Sequence, residues 1–541
     1  MKKIIILIFF LAVTGVKSQY QEWAKTFNGS GNSNDQALFV KLDAQQNVYI
    51  TGRVISTGNN SDICIVKYNS AGVQQWAVTY NGPGNNWDEA AGLSVDISGN
   101  IYVAGITLNS SSNYDIVVIK YNSAGLQQWA QIWNGANNLD EESGEVITDN
   151  NGNIYVTGST VTSGMDYNYI TLKYNSSGVL QWAKQYNNPI NSGDRAMLIA
   201  CDGINIYVTG TSTAQTTGTD FLTIKYSPGG DSLWTARFSG TVNINEIPYG
   251  FKADLNGNVY VTGMTQGISS GVDYMTIKYN TNGTELWQAR YTSPGAAQDI
   301  PEDLAIDGSG NVYVTGRTRV NSSYNDFGTV KYNSNGVQQW VAIYDNAPES
   351  RDDYGYELAV DNNGNVYVTG NSQASGTDRD ALTIKYNSSG IQQWVARYDV
   401  TNSEEAYSIA LDAAGNVYVT GYQTASNADF LTIKYSQTNG IKQISNEIPE
   451  KFSISQNYPN PFNPVTKIRF AITSGVKSET SNVKLVIFDA AGREAETLIN
   501  EKLQPGTYEA DWDAANYPSG VYFYTIQTGG FKQTKKMMLI K

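Results

Sequence analysis

The side chains best suited to chemistry are eight carboxylates that recur at one position of a repeated segment. Each stands eight residues before an aspartate that ends an apolar run: Asp35, Asp88, Glu141, Asp194, Glu246, Asp299, Asp353 and Glu404. On the rim of a ring of repeats, they would attract a cationic ligand group or a hard cation such as Ca²⁺, the one cofactor considered. The favoured alternative is conformational: the acid accepts backbone N–H groups at a loop–strand junction, or pairs with a lysine.

Two further sets of aspartates follow the same period. The aspartates that end the apolar runs are Asp43, Asp96, Asp149, Asp202, Asp254, Asp307, Asp361 and Asp412. Their D-x-x-G-N pattern predicts turn capping, because calcium loops need further carboxylates. The third set is Asp62, Asp115, Asp220, Asp273, Asp326, Asp380 and Asp429, with Asn168 in the third repeat; it accompanies Lys67, Lys120, Lys173, Lys225, Lys278, Lys331, Lys385 and Lys434. These lysines stand among apolar residues, which predicts partly buried ion pairs with a repeat acid.

Aromatic side chains occur in pairs four residues apart, which on a strand places both on one face. The pairs are Trp23/Phe27, Trp76/Tyr80, Trp129/Trp133, Trp182/Tyr186, Trp234/Phe238, Trp287/Tyr291, Trp340/Tyr344 and Trp394/Tyr398. Exposed pairs stack on sugars, whereas packed pairs seal one repeat against the next. Packing is favoured, because a large ring needs bulk between its units.

Some chemistry is excluded by composition. The chain has no histidine, which removes Ser-His-Asp and Cys-His catalysis and imidazole metal sites. The formal charge is 36 − 50 = −14, so the chain should repel nucleic acid and anionic lipid. Residues that break the repeat symmetry are Arg53, Arg317, Arg319 and Arg379 on the loops after the tag described below, Trp87, and the cluster 140–142. Arg317 and Arg319 with Tyr324 would suit an anionic or sugar group; isolated surface charge is the simpler account.

The repeat is defined by the tag Asn-(Val/Ile)-Tyr-(Val/Ile)-(Thr/Ala)-Gly, which occurs eight times. Its tyrosines recur at intervals of 51 to 54 residues, at Tyr49, Tyr102, Tyr155, Tyr207, Tyr260, Tyr313, Tyr367 and Tyr418. Each unit predicts four short antiparallel strands, here called a to d: the apolar run, the tag, the D-x-x-x-I-K-Y segment and the tryptophan segment. Four strands per unit of about fifty residues predict an all-β fold, a β-propeller with one blade per unit.

The two ends of the array predict a closed ring. The eighth unit lacks the tryptophan of strand d, whereas residues 21–27 (QEWAKTF) carry that pattern without belonging to a unit. Placed beside strand c of the eighth unit, this segment completes the blade and pairs both sheet edges. We therefore expect an eight-bladed propeller closed by its N-terminal strand; an open superhelical stack is the alternative.

The repeat DAAGNVYVTG…DFLTIKY resembles the bacterial SBBP β-propeller repeat, and more loosely NHL-type blades. The resemblance implies a propeller fold over about residues 20–440 in an exported protein, and implies no established chemistry.

The ends of the chain predict export. Residues 1–18 have the basic start and short apolar run of a signal peptide, and no stretch is long enough to span a membrane. Four segments of the tail resemble the type A C-terminal sorting domain of the type IX secretion system. Their residues include Asn457, Pro459, Asn460, Pro461, Phe462, Asn463, Pro464, Gly492, Arg493, Gly520, Tyr522, Lys535 and Lys536. The resemblance implies the type IX secretion machinery as partner and delivery across the outer membrane to the cell surface or medium.

The predicted organisation is therefore a signal peptide (1–18), a propeller (19–436), a linker (437–451) and a small Ig-like β-sandwich (452–541). Uniform loop lengths and the missing histidine favour a non-catalytic binding or envelope module with a glycan or protein ligand on its rim. Two alternatives stay open: a carboxylate-only glycosidase or lyase, and a structural or adhesive surface protein.

Overall fold

The computed structural model describes residues 20–541 except 57–59, 110–112, 163, 165, 217, 241–244, 268–270, 296–297, 321–323, 347–350, 374–377, 401, 437–440, 446, 474–480, 515–516 and 529. The predicted signal peptide, residues 1–18, lies outside the described residues. Every named element of the described part is a β-strand. In that part no helix is long and apolar enough to cross a membrane. The chain divides into two compact units: one is Glu22–Lys434, and the other contains Tyr435–Lys541.

The first unit is built from eight four-stranded sheets, one for each repeat. Sheet 1 contains β2 (Gln36–Leu42), β3 (Val48–Ile55), β4 (Ser61–Tyr68) and β5 (Gln74–Tyr80). Sheet 2 contains β6 (Asp88–Val95), β7 (Ile101–Leu108), β8 (Tyr114–Tyr121) and β9 (Gln127–Trp133). Sheet 3 contains β10 (Glu141–Thr148), β11 (Ile154–Val161), β12 (Tyr167–Tyr174) and β13 (Leu180–Tyr186). Sheet 4 contains β14 (Asp194–Cys201), β15 (Ile206–Ala214), β16 (Gly218–Tyr226) and β17 (Ser232–Phe238).

The other four sheets repeat this order. Sheet 5 contains β18 (Ile247–Ala253), β19 (Val259–Gly267), β20 (Gly271–Tyr279) and β21 (Glu285–Tyr291). Sheet 6 contains β22 (Ile300–Ile306), β23 (Val312–Thr318), β24 (Asp326–Tyr332) and β25 (Gln338–Tyr344). Sheet 7 contains β26 (Asp353–Val360), β27 (Val366–Gln373), β28 (Arg379–Tyr386) and β29 (Gln392–Tyr398). Sheet 8 contains β30 (Ser403–Leu411), β31 (Val417–Thr424), β32 (Ala428–Ser436) and the N-terminal strand β1 (Tyr20–Phe27), in the order β1-β32-β31-β30.

Both faces of a tag strand are buried against neighbouring sheets, as alternation along a strand requires. In sheet 5, Val259 and Val261 share a core cluster with Tyr207 of sheet 4. Tyr260, between them in sequence, packs instead with Val312 of sheet 6. Each sheet is thus apolar on both faces. Only its fourth strand, in which exposed and partly buried residues alternate, has a large solvent-exposed surface.

The strand-d tryptophans seal one sheet against the next, as the sequence predicted. The Trp76 indole donates to the Ser123 carbonyl of sheet 2 at 3.2 Å. Gly125, at φ +79° in the same turn, lies against that indole: a Cβ there would be 2.7 Å from the ring. Only glycine fits this left-handed, closely approached position.

The N-terminal strand makes the same contact with sheet 1. The Trp23 indole donates to the Ser70 carbonyl at 3.2 Å, and a Cβ on Gly72 would be 2.7 Å from its ring. The first strands of successive sheets also contact one another, and β30 of sheet 8 contacts β2 of sheet 1. The Val40 N–H donates to Ser408 Oγ across this junction at 3.2 Å.

The second unit contains two four-stranded antiparallel sheets around one core. Their orders are β33-β38-β35-β34 and β37-β36-β39-β40. The strands are β33 (Ile441–Ser445), β34 (Ser453–Ile454), β35 (Val465–Ile472), β36 (Ser481–Asp489), β37 (Glu494–Leu503), β38 (Gly506–Asp513), β39 (Gly520–Thr528) and β40 (Phe531–Leu539). Residues 441–445, within the predicted linker, instead form an edge strand paired with β38. An edge strand needs backbone pairing more than an apolar pattern, which is why a polar segment serves.

Candidate binding site in the channel

The predicted ring of eight carboxylates does not line an open rim. All eight side chains are at most 1% exposed. Asp35 accepts the N–H groups of Gly29 at 2.6 Å and Ile55 at 2.8 Å. Asp299 accepts the N–H of Ser293 at 2.7 Å. This geometry corresponds to the conformational alternative, in which the acid holds the loop that enters strand a.

The turn aspartates cap their turns, as predicted. Asp96 Oδ1 accepts the N–H groups of Ser98 and Asn100, each at 2.9 Å. Its Oδ2 accepts the Asn100 side chain at 2.8 Å and the Tyr102 hydroxyl at 3.0 Å. The Asn and Tyr of the tag are therefore donors to one carboxylate, which explains their spacing.

The prediction that the repeat lysines pair with a repeat acid is wrong where their contacts are described. Lys67 Nζ donates to the Ser123 carbonyl of the next sheet at 2.9 Å and lies 4.9 Å from the centroid of the Tyr49 ring. The Asp43 carboxylate already receives the Tyr49 hydroxyl, so the lysine is left with the ring face and a carbonyl. The carbonyl contact recurs at Lys120, Lys173, Lys225, Lys331 and Lys434.

The first strands of all eight sheets line a cavity of about 520 Å³, here called the channel. Each of these strands has a β-bulge, so two of its residues oppose one on the neighbouring tag strand. A bulge re-aims side chains and frees backbone groups. Channel-lining residues therefore include the bulge positions, which the repeat pattern does not fix.

Charged residues cluster in the channel. Glu145, Asp303 and Glu357 stand four residues before their turn aspartates, and Lys41 and Lys252 stand two before theirs. Each acid accepts a backbone N–H of the next sheet: Glu145 from Ile199 (3.1 Å), Asp303 from Leu358 (3.1 Å) and Glu357 from Ile409 (2.8 Å). One carboxylate oxygen of each acid thus binds the backbone of the first strand in the neighbouring sheet.

The pKa values of these groups show that their charges act on one another across the channel. Burial raises the pKa of Glu145 and of Asp303 above their usual range, although Lys252 opposes both shifts. Burial also lowers the pKa of Lys252, but the charges of Asp303, Glu145 and Glu357 outweigh it and raise that pKa. Three partly buried acids therefore favour the charged form of Lys252, whose own side chain is exposed.

One side of the channel carries an aromatic wall. The bulge position, five residues before the turn aspartate, holds Leu38, Ala91, Gly144 and Met197 in sheets 1–4, but Tyr249, Glu302, Tyr356 and Tyr407 in sheets 5–8. The last four side chains all line the channel. The symmetry of the repeats is broken here, with small or aliphatic residues on one side and tyrosines with a carboxylate on the other.

Two further tyrosine rings pack against this wall. The ring centroids of Tyr356 and Tyr407 are 5.4 Å apart, and those of Tyr407 and Tyr422 are 5.9 Å apart. Tyr354 lies parallel to Tyr356 with centroids 6.3 Å apart. We call Tyr354, Tyr356, Tyr407 and Tyr422 the tyrosine wall; all four are half-buried. Tyr249 and Glu302 flank it.

Two arginines support the wall. Arg317 and Arg379 lie 5.6 and 5.5 Å from the centroid of the Tyr354 ring. Arg379 Nη1 is 2.8 Å from Glu405 Oε1, and Arg317 Nε is 3.6 Å from Glu302 Oε1. The sequence singled out both arginines as outliers. It placed them on loops, whereas they stand on β23 and β28 and meet Tyr354.

Two acids of this region have unlike environments. Burial raises the pKa of Glu302 to about 7, and Arg317 only partly offsets it. Glu405 is held by Arg379 and receives hydrogen bonds from Tyr407 and Tyr422. Burial and then the Glu405 charge raise the pKa of Tyr422 to about 12, so its hydroxyl stays protonated as a donor.

The tail residues singled out from the sequence serve the second unit's core and turns. Phe462 is buried with its ring centroid 5.4 Å from that of Trp512, and the Asn457 amide donates to Thr466 Oγ1 at 2.9 Å. Gly492 has φ +75° in the turn where Arg493 Nε contacts Asp489 Oδ2 at 2.7 Å. Lys536 is exposed on β40.

One curated relative is an uncharacterized WD repeat-containing protein, L264, of Acanthamoeba polyphaga mimivirus. It is 25% identical, over 67% of this chain and 32% of the relative, so the chain spans about a third of its length. PorZ, whose structure is described as that of an essential surface component of the type IX secretion system of Porphyromonas gingivalis, shares 13% identity over 96% of this chain and 75% of that chain, with a TM-score of 0.32. A PL25 ulvan lyase shares 11% over 75% and 95%, with a TM-score of 0.37. TM-scores this low assign no shared function.

Two family models match parts of the chain. The model described as a secretion system C-terminal sorting domain matches residues 456–541. The model described as a beta-propeller repeat matches residues 290–322 and 347–376. Together they support a protein secreted to the cell surface or beyond. The chain thus carries β-propeller repeats of the SBBP family and ends in a type IX secretion system C-terminal sorting domain.

Proposed function

We propose that sheets 1–8 are the blades of one closed propeller, and that β1 closes it. Support comes from the pairing of β1 with β32 and from Trp23, which meets sheet 1 as every other strand-d tryptophan described above meets its neighbour. The C-terminal unit, an Ig-like sandwich in this proposal, directs the propeller across the outer membrane through the type IX machinery.

The propeller is a non-catalytic binding module whose ligand enters the channel at the tyrosine wall. The observation that carries this proposal is the broken symmetry of the bulge position: Tyr249, Glu302, Tyr356 and Tyr407 stand on sheets 5–8 where sheets 1–4 carry no aromatic or charged residue. Function on a repeat scaffold is expected where the repeats differ.

A saccharide fits this wall best. Half-buried tyrosine faces offer stacking surfaces to sugar rings, and their hydroxyls offer hydrogen bonds. Glu302, Arg317 and Arg379 add polar groups of both signs at the same place. A flat apolar peptide would shield those charged groups from water without hydrogen-bonding them, which costs affinity.

The test is titration of the secreted protein with a panel of soluble polysaccharides and, separately, with envelope proteins. Tyr407→Ala removes a central ring of the wall and should weaken saccharide binding at least about tenfold, or ~1.4 kcal/mol. Trp87→Ala is the matched control, because Trp87 stacks with Arg53 on sheets 1 and 2. Equal losses in both variants, or binding of proteins alone, would contradict the saccharide proposal.

A second candidate is a polysaccharide-cleaving enzyme, and one observation favours it. Carboxylate catalysis needs two acids in unlike environments, and Glu302, with its pKa raised to about 7, stands beside the same wall as the arginine-bound Glu405. In this case the bound polysaccharide is shortened, and Glu302→Gln abolishes turnover while binding persists. A polysaccharide that binds and keeps its length excludes this candidate.

A further inference from the structure

Buried acids meet at the junctions between sheets, away from the channel wall. The third-set aspartate of one sheet lies beside the first-set acid of the next. At the junction of sheets 7 and 8, ligand oxygens of Asp380, Glu404 and the neighbouring Asp399 all lie within 4.8 Å of one another. Asp380 and Glu404 are at most 2% exposed. Two carboxylates this close and this buried require a positive charge or a proton between them.

Three junctions supply that positive charge from within the chain. Arginine stands three residues after the strand-d tryptophan in sheets 4, 5 and 7, at Arg237, Arg290 and Arg397. Arg237 is 2.8 Å from Asp220 and Arg290 is 2.7 Å from Asp273, and Arg397 contacts Asp380. The guanidinium in each case comes from the outer strand of the same sheet as the aspartate.

At the junction of sheets 8 and 1, which also lacks the arginine, Asp35 lies near the partly exposed Asp429. Three other junctions have two fully buried acids without the arginine. The pairs are Asp62/Asp88, Asp115/Glu141 and Asp326/Asp353, and the arginine position holds Thr79, Ile132 and Ile343. All six acids are at most 4% exposed. The junction of sheets 3 and 4 avoids the problem, because Asn168 replaces the aspartate and Asn188 donates to Asp194 at 2.8 Å.

Oxygens in these pairs have no hydrogen-bond partner in the described structure. They are Asp62 Oδ1, Asp115 Oδ1, Glu141 Oε2 and Asp353 Oδ1; Glu246 Oε2, at a junction that has the arginine, also lacks a partner. The other oxygen of Asp115 accepts the Asn109 amide at 2.9 Å, and that of Asp353 accepts the Asn346 N–H at 3.0 Å. A buried carboxylate oxygen without a donor is costly, so a ligand that supplies positive charge would stabilise each pair.

We propose that these three junctions bind Ca²⁺, one ion for each acid pair, in the place that arginine fills elsewhere. The available ligand atoms are carboxylate oxygens, with hydroxyls close by, as where Ser61 Oγ meets the Asp88 carbonyl at 3.2 Å. Oxygen-only surroundings suit a hard cation such as Ca²⁺, which accepts irregular coordination more readily than Mg²⁺. The ion joins two neighbouring sheets, so it stabilises the array and stands apart from the channel.

Protonation is the competing solution. Burial raises the pKa of Asp88 to about 6, of Glu141 to about 7 and of Asp326 and Asp353 to about 6. The acids that face them add to these shifts: Asp62 for Asp88, and Asp115 with Asp140 for Glu141. At neutral pH and above, Ca²⁺ should therefore displace the remaining protons, whereas at lower pH it should be released.

The experiment counts Ca²⁺ bound to the full secreted chain by equilibrium dialysis at neutral pH. Ile132→Arg and Ile343→Arg add the guanidinium that other junctions use, at side chains already 40% and 38% exposed. Each should lower the stoichiometry by one ion, and the double variant by two. Ile97→Arg, at a position 90% exposed in a turn, is the control and should leave the stoichiometry unchanged.

A second measurement keeps the proposal testable if an arginine disturbs packing. Ca²⁺ should raise the wild-type Tm by about 5 °C at concentrations well above its Kd, and Asp115→Asn with Glu141→Gln should reduce that increment. The proposal is overturned if wild type binds no Ca²⁺, or if Ile132→Arg and Ile343→Arg bind as many ions as wild type and Ile97→Arg do.

Discussion

At the scale of single residues, the repeat is explained by one carboxylate and its donors. Asp307 accepts the Ser309 and Asn311 N–H groups, the Asn311 amide and the Tyr313 hydroxyl, at 2.7 to 3.0 Å. These hydrogen bonds outweigh burial and lower the pKa of Asp307. Hydrogen bonding to the turn aspartate therefore explains why the Asn and Tyr of the tag recur in every repeat.

Asp307→Ala should lower the free energy of unfolding by about 1–3 kcal/mol, because four donors lose their acceptor. Urea unfolding at pH 7 measures the loss, with the exposed Asp345→Ala as control. Since the folded pKa of Asp307 is depressed, its contribution is present above the unfolded pKa of about 4 and disappears as the pH falls through the folded pKa. Equal unfolding midpoints for both variants would show that the turn does not depend on this carboxylate.

The sequence predicts most of the positions that all repeats share, although not the contacts of the repeat lysines, and it misses positions at which the repeats differ. The turn aspartates, the sealing tryptophans and the strand order follow from eight copies of one pattern. Tyr249, Tyr356 and Tyr407 were missed because strand a looked like a plain apolar run, and a bulge decides which of its residues reach the channel. The sequence feature that could have revealed them is the position five residues before the turn aspartate, which holds unlike residues in different repeats.

At the scale of elements, strand β1 has the most consequence for its size. Trp23 is 8% exposed and packs against both Tyr68 of sheet 1 and Tyr418 of sheet 8. Lys434 Nζ on β32 reaches the Ser70 carbonyl and lies 2.8 Å from Glu22 Oε2. One eight-residue strand thus connects the last sheet to the first.

Trp23→Ala should cost about 3–5 kcal/mol, the usual range for a large buried aromatic side chain. Trp182→Ala is the matched variant, because Trp182 makes the same contact between sheets 3 and 4, with its indole 3.2 Å from the Pro228 carbonyl. Chemical unfolding should give similar losses for the two. A loss below about 1 kcal/mol for Trp23→Ala alone would mean that β1 does not close the array.

Elements of the second unit show where periodicity is a weak guide. Alternation and turn residues predict strands at 466–472, 483–488, 507–512, 521–526 and 534–540, which correspond to β35, β36, β38, β39 and β40. Strand β37 was missed because its sequence, EAETLINEKL, is charged and lacks β-branched enrichment. Strand β33 was missed because it lies in a polar stretch. Both strands lie at sheet edges. There, backbone pairing with the adjacent strand outweighs the weak strand preference of the sequence.

At the scale of the whole molecule, the buried acid pairs make stability depend on pH. For Asp88, Glu141, Asp326 and Asp353 the folded pKa is raised to about 6 or 7. Their stabilising contribution is therefore complete below the unfolded values of about 4 and is lost as the pH rises through the folded values. Neighbouring acids add to these pKa shifts: Asp62 at Asp88, Asp115 and Asp140 at Glu141, and Asp345 and Asp352 at Asp326. Arg397 opposes the pKa shift at Asp353.

Calcium-free protein should consequently melt at a higher temperature at pH 5.5 than at pH 7.5. Saturating Ca²⁺ should raise the Tm at pH 7.5 and shrink the difference between the two conditions. Scanning calorimetry with and without a chelator measures both quantities. A Tm that falls on acidification in the chelated sample would contradict the assignment of these pairs as protonated at low pH.

The sorting domain makes a prediction about the whole cell. A chain that ends after residue 436 lacks the second unit and should accumulate on the periplasmic side of the outer membrane, while the full chain reaches the surface or medium. Fractionation with an antibody to the propeller distinguishes the two locations. Equal export of both chains would show that secretion does not depend on the domain matched at residues 456–541.

The most direct measurement is a crystal structure of the secreted protein with an oligosaccharide from the polysaccharide that it binds best. Sugar density is expected in the channel, stacked on Tyr356 and Tyr407 and within hydrogen-bond distance of Glu302 or Arg379. Sugar density on the outer strands or beside Trp87, with the tyrosine wall bare, would contradict it.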